Sequence, residues 1–139
     1  MPVKTYHLSF STRGNADMLD ITPQVAKTVN ESGLQDGIVT IFCPSSTSAL
    51  TTIEYEPGCL KDLRRLFDEI LPESKDYAHN ERWGDGNGHS HARAALLKAS
   101  LTIPFAAKTL TLGTWQQIIY VDFDNRSRQR QVVVQVMGE

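Results

Sequence analysis

Apolar and polar positions along the chain fall into short, readable periods. Tyr6, Leu8 and Phe10 alternate with Thr5, His7 and Ser9, which predicts a β-strand with one apolar face. After a turn at Arg13-Gly14-Asn15, the segment ADMLDI predicts a short second strand. Thr22-Pro23 then offers an N-cap and a first-turn proline, Val25 and Val29 recur four residues apart, and Gly33 closes the helix they define. GIVTIFC at 37–43 is apolar on both faces, the pattern of a central strand, and the β-rich TSALTTIEYE follows at 47–56. Pro57-Gly58 opens a second helix in which Leu60, Leu63, Phe67 and Ile70 share a face as far as Pro72. A short helical stretch, ARAALLKA, precedes four strands: SLTIPF, TLTL, QQIIYVDF and RQVVVQVM. A hairpin-like turn, DNRS, joins the last two. This order predicts one α+β domain over residues 1–139, mostly strands with two main helices.

Composition narrows the function classes. The 139 residues are 40% hydrophobic and 22% charged, ordinary for a globular protein with a core of its own. A net charge of −2 gives no global attraction to nucleic acid or to an anionic membrane, so any anion site must be local. No apolar run approaches the ~20 residues that span a bilayer, and MPVKTYHLSFSTRG lacks the apolar region of a signal peptide. Cys43 and Cys59 have no metal-knuckle spacing, and Cys43 reads as a small buried hydrophobe. A cytoplasmic protein without nucleic-acid or membrane partners is expected.

The segment HNERWGDGNGHSH at 79–91 breaks the pattern, holding three of the four histidines in the chain. Glycines at 84, 86 and 88 predict irregular backbone that can approach a ligand closely. In an extended conformation His89 and His91 point the same way, and His79 can fold back to complete three nitrogens for a divalent metal, zinc-like or magnesium. The residues alone leave a plain surface loop equally open. His7, on the polar face of its strand, reads as structural.

Three other polar stretches carry candidate chemistry. CPSSTSALTTIE at 43–54 places several hydroxyls before Glu54; such hydroxyls can hold phosphate oxygens, or serve only strand and turn preferences. Glu54, ending a semi-apolar strand, is either paired or poised as a base. In LGTWQQI, Trp115 and Gln116 face opposite ways. In RSRQR, Arg126, Arg128 and Arg130 share a face if extended, where they can meet phosphate or pair with Asp122 and Asp124 across the turn. The arginines are therefore left outside the expected site.

Taken together, STSALTTIEYEPG at 46–58, YAHNERWGDGNGHSHARAALLKASLTIPF at 77–105 and LGTWQQIIYVDFDNRSRQRQVVVQVMGE at 112–139 resemble the YjbQ family (uncharacterised protein family 0047), also described as secondary thiamine-phosphate synthase enzymes. The resemblance implies a compact β-sandwich-like fold with a mixed-sheet core, assembled as a homotrimer, with polar pockets near subunit boundaries. It also implies a low-level activity that joins thiazole phosphate to pyrimidine pyrophosphate. For that chemistry Glu54, His79 and His91 are the expected catalytic residues, and Ser46, Thr47, Asn87, His89 and Gln116 the expected substrate-binding residues. His79, His89 and His91 are the expected metal ligands. A non-catalytic trimer that binds a phosphorylated small molecule or a metal is the competing expectation. Two positions depart from the family pattern: Ser45-Ser46 stands where many members have a histidine-threonine pair, and Lys108 where glycine is common. A lysine disfavours positive φ, so a locally different turn is expected at 108.

Overall fold

The structure, a computed structural model, describes residues 1–139. The strands are β1 (Val3–Thr12), β2 (Asp17–Asp20), β3 (Gly37–Phe42), β4 (Ser48–Ile53), β5 (Ser100–Ala106), β6 (Thr109–Leu110), β7 (Gln117–Asp122) and β8 (Arg128–Gly138). The helices are α1 (Thr22–Ser32), α2 (Pro57–Ile70), α3 (Ala78–Trp83) and α4 (Gly88–Leu97). Two sheets form, one in the order β1-β8-β3-β5-β6 and the other β2-β7-β4.

Strand periodicity decides the layering. In β7, Ile118 and Tyr120 point toward the larger sheet, where they meet Val39 and Ile41 of β3 and Val132, Val134 and Val136 of β8. Ile119 and Val121 point the other way, toward Phe67 of α2 and Ala94 of α4. Strand β7 is thus buried on both faces, which explains the unbroken apolar run Ile118-Ile119-Tyr120-Val121 at its centre. Each such side chain, fully buried, contributes about 1.5–3 kcal/mol. Helix α1 closes one flank of the larger sheet through Val25 and Val29, both fully buried.

The outer face of the larger sheet is covered by no helix and carries no formal charge across its four long strands. Val3, Met137, Ile38 and Pro104 form one cross-strand row, Thr5, Gln135, Thr40 and Thr102 the next, and His7, Val133, Phe42 and Ser100 a third. Phe42 is 44% exposed and Val3 53%.

Several expectations are corrected. Every strand pair is antiparallel, so neither sheet is mixed. Besides the two main helices, α4 covers most of the expected helical stretch ARAALLKA but begins earlier, at Gly88, and α3 forms within the segment expected to be irregular. Gly84 and Gly86 do adopt positive φ, but Gly88 opens α4. The DNRS turn joins strands of different sheets, not a hairpin, because β7 pairs with β2 and β4 while β8 pairs with β1 and β3. Helix α1 begins one residue from the expected cap: Asp20 accepts from the Thr22 amide, while the Thr22 hydroxyl accepts from the Ile118 amide. Lys108 does adopt positive φ, at 64°, beside Ala107 at 47°. Pairing of Phe105 with Leu110 and of Ala106 with Thr109 holds this tight turn despite its side chains.

Gly88 fixes how closely α3 and α4 pack. A Cβ there would stand 2.5 Å from Tyr77 Cβ and 3.0 Å from Asn80 Oδ1, and its amide donates to Asn80 Oδ1 at 2.8 Å. Only glycine lets the two helices approach to this distance. Gly88→Ala should therefore destabilise the protein by about 1–3 kcal/mol in chemical denaturation. An unchanged midpoint would mean that the two helices yield freely.

Candidate functional site

The start of α4 is fastened to the end of β7. Ser90 Oγ, fully buried, lies 2.5 Å from both Asn87 Oδ1 and the Phe123 carbonyl oxygen, with its one proton shared between them. Asn87 Oδ1 also accepts from the Asn125 amide, and Asn125 Nδ2 donates to the Asp85 carbonyl. The histidine segment is therefore held over the turn that leads from β7 to β8.

Helical geometry separates the three histidines. Successive residues on a helix are rotated about 100° apart, so residues two apart face away from each other. His91 turns toward α3, where its ring lies 4.4 Å from that of His79. His79 Nδ1 is 3.3 Å from Asp85 Oδ1, although not aligned for a hydrogen bond. His89 turns inward instead, 2% exposed, with its ring 6.4 Å from Tyr77 and its Nδ1 unpartnered. Burial is the first cause that lowers the pKa of both His89 and His91; proximity to Arg93 lowers it further for His89, and proximity to His79 for His91. Both imidazoles are therefore neutral at neutral pH.

Beside His91 opens a cavity of about 430 Å³ without a single hydrophobic residue in its wall. Ser45, Ser46 and Thr47 line one side, Asp85, Asn87 and His91 another, and Asp124, Arg128 and Arg130 the third. A second compartment of about 380 Å³ shares Ser45, Ser46 and His91, and is otherwise walled by Ser48, Ala94, Ala95, Lys98 and Ala99.

Charge in the first cavity is tightly ordered. Arg130 forks onto the fully buried Asp122, with Nε 2.7 Å from Oδ2 and Nη2 3.0 Å from Oδ1. Its Nη2 also lies 2.9 Å from the Thr47 hydroxyl, which donates to Asp124 Oδ2 at 3.0 Å. Arg128 reaches the same Asp124 oxygen through Nε at 3.2 Å and Nη2 at 3.1 Å. Burial works to raise the Asp124 pKa, but Thr47 and Arg128 outweigh it and hold the carboxyl below its ordinary value. Hydrogen bonding to Asp122 raises the pKa of Arg130.

Of the expected residues, Ser46, Thr47, Asn87 and His91 line this cavity, and His79 backs it through His91. His89 lies on the other side of α4. Within one chain Glu54 stands apart, exposed, with Oε2 3.6 Å from Cys59 Sγ. Gln116 lines a different cavity with Thr22 and Lys108, and is held by the Gly113 amide and the Thr52 hydroxyl. The three imidazoles do not converge as a metal-ligand set. The one cluster of three ligating side chains is Glu54, Glu56 and Cys59, where both Glu56 oxygens already cap α2. Sequence reasoning left out Arg128 and Arg130. Their signal was parity: they alternate in phase with Val132, Val134 and Val136, the inward face of β8.

Known proteins share this architecture. A profile of the family described as "UPF0047 protein YjbQ-like" matches residues 6–139. A UPF0047 protein of Methanothermobacter thermautotrophicus is 35% identical over all 139 residues and 95% of its own length. The UPF0047 protein YugU of Bacillus subtilis is 33% identical, over 94% of this chain and 97% of its own. Among solved structures, a YbjQ-like protein of unknown function from Sulfolobus solfataricus superposes with a TM-score of 0.89 at 32% identity, covering 99% of this chain and 100% of that one. An uncharacterised YjbQ/UPF0047-family protein from Clostridium acetobutylicum gives 0.87 at 36% identity, covering 95% and 99%. With a profile match over nearly its whole length and relatives of this similarity, the chain belongs to the UPF0047 (YjbQ-like) family.

Proposed function

We propose that the polar cavity beside His91 binds the phosphate of a small molecule, and that the reaction run there is low-level thiamine-phosphate synthesis. The observation that carries the reading is the pair of guanidinium groups, Arg128 and Arg130, in a cavity whose wall also offers three hydroxyls and the Asn87 amide beside the carboxylates of Asp85 and Asp124. Guanidinium groups match phosphate oxygens in geometry as well as charge. Neutral His89 and His91 cannot supply that positive charge, so the arginines take the role expected of them. In the reaction, the thiazole nitrogen attacks the pyrimidine methylene carbon, the carbon–oxygen bond breaks, and pyrophosphate leaves with the electron pair. The growing negative charge falls on the leaving group, where fixed donors act most strongly. His91, uncharged, stands where the two compartments join and offers a proton acceptor. The smaller-walled compartment has room for a ring.

A second reading, a phosphate-binding protein without turnover, is favoured by one observation: each arginine is already paired with a carboxylate. Pyrophosphate release from the two substrates separates the readings. Arg128→Gln and His91→Ala should each slow release about 10²–10³-fold. Phosphate binding without any release in the wild type would establish the second reading, and full turnover in both variants would remove the cavity from the reaction.

The histidines also set a pH dependence. In the unfolded chain an imidazole protonates below about its ordinary value of 6.5, whereas the folded pKa of His89 and of His91 is lower. Between the two values the unfolded state binds more protons, so stability is full above 6.5 and is lost as pH falls through the folded values. His89→Gln should flatten this limb in urea titrations across pH; an unchanged slope would assign the loss to other groups.

Assembly as a homotrimer is part of the same proposal. It is supported by the uncharged outer face of the larger sheet, since charge depletion at the centre is characteristic of protein interfaces. Such a face meets a second copy without burying an unpaired charge. Sedimentation should give three times the 15.5 kDa chain mass, and Phe42→Lys should reduce it to one. A wild-type monomer would remove the proposal.

A further inference from the structure

The carboxylate of Asp124 is used on one side only. Oδ2 receives Thr47 and Arg128, with Arg130 Nη2 3.5 Å away, while Oδ1 is buried and receives no hydrogen bond. Asp124 itself is 1% exposed and lines the polar cavity. A buried carboxylate oxygen left unpartnered costs more than an ordinary missing bond, because its charge is desolvated with nothing in return. In a cavity meant only for phosphate it would also repel the ligand.

We propose that Asp124 Oδ1 is a specificity-determining acceptor, and that the cavity takes a phosphate or pyrophosphate ester carrying an amino or hydroxyl donor a few bonds from its phosphate. This rests on the reading of the cavity as a phosphate site. The arginine side receives the phosphate oxygens, and Oδ1 receives the donor. One ligand thereby satisfies both the free guanidinium N–H groups and the unpartnered oxygen. A ligand lacking the donor leaves Oδ1 buried and unpaired, which is the condition under which a polar site discriminates strongly between close analogues.

The test is calorimetric titration of the full chain with four probes: inorganic phosphate, ethyl phosphate, 2-hydroxyethyl phosphate and phosphoethanolamine. At least one donor-bearing probe should bind about tenfold or more tightly than ethyl phosphate. Which of the two does so identifies the donor as hydroxyl or amine. Asp124→Asn retains an oxygen for Thr47 and Arg128 and places an amide N–H₂ at the Oδ1 position. That preference should disappear in the variant, with inorganic and ethyl phosphate bound as tightly as before or more so. A purely structural role would instead weaken all four probes alike. If Asp124→Asn does not fold, Asp124→Glu, which displaces the acceptor by one methylene, must abolish the preference. Equal binding of ethyl phosphate and both donor-bearing probes to the wild type, or a preference that survives in the variant, overturns the inference and leaves the phosphate site standing. Failure of every probe to bind overturns both.

Discussion

A carboxylate cannot stay fully buried and charged unless a cation comes with it. Asp122 ends β7 in the smaller sheet, and Arg130 lies near the start of β8 in the larger one. Their two-pronged bond, joined by the Thr12 hydroxyl of β1, ties three strands from two sheets at the point where the sheets are no longer zipped together by valine and isoleucine. Breaking such a pair by removing one partner typically costs about 3–5 kcal/mol, because the other charge is left stranded. The cavity follows from this constraint. Apolar side chains cannot cover Asp122, Asp124, Arg128 and Arg130 without stripping away their hydrogen bonds, so the core stops there and a polar hollow begins.

The remaining wall is brought in by local packing. Ser90 and Asn87 pin the start of α4 to the turn after β7, and Gly88 lets α3 lie close enough for His79 to stack against His91. Arg93, 6% exposed, ties the middle of α4 to α2 through the Leu71 carbonyl and Asp68, so it serves the scaffold rather than the hollow. The histidine ring at the cavity edge is therefore held by several small contacts whose origins lie outside the cavity.

Most strands could be read from alternation alone, and so could the helix opened by Pro57, because burial on one face imposes a period on the sequence. The histidine segment could not. Its glycines suggested irregular backbone, yet two of them end a helix or shape a turn, while the third is needed for close packing between helices. That misreading placed His89 and His91 on one side, whereas helical rotation puts them on different sides. The separation of β7 from β8 into two sheets was also hidden, since a short polar turn between strands looks the same whether or not they pair. Arg128 and Arg130 were legible in principle: the inward face of the valine run continues through them without a change of phase.

The charged side chains that line the hollow, Asp85, Asp124, Arg128 and Arg130, sum to zero formal charge, and Asp122 beneath them adds one negative charge. Such a site projects little field beyond its own mouth. An approaching anion feels no long-range pull from it, and association proceeds at the unassisted diffusive rate rather than an electrostatically accelerated one. Discrimination at such a site waits for contact, where the directions of individual N–H groups and lone pairs decide what stays.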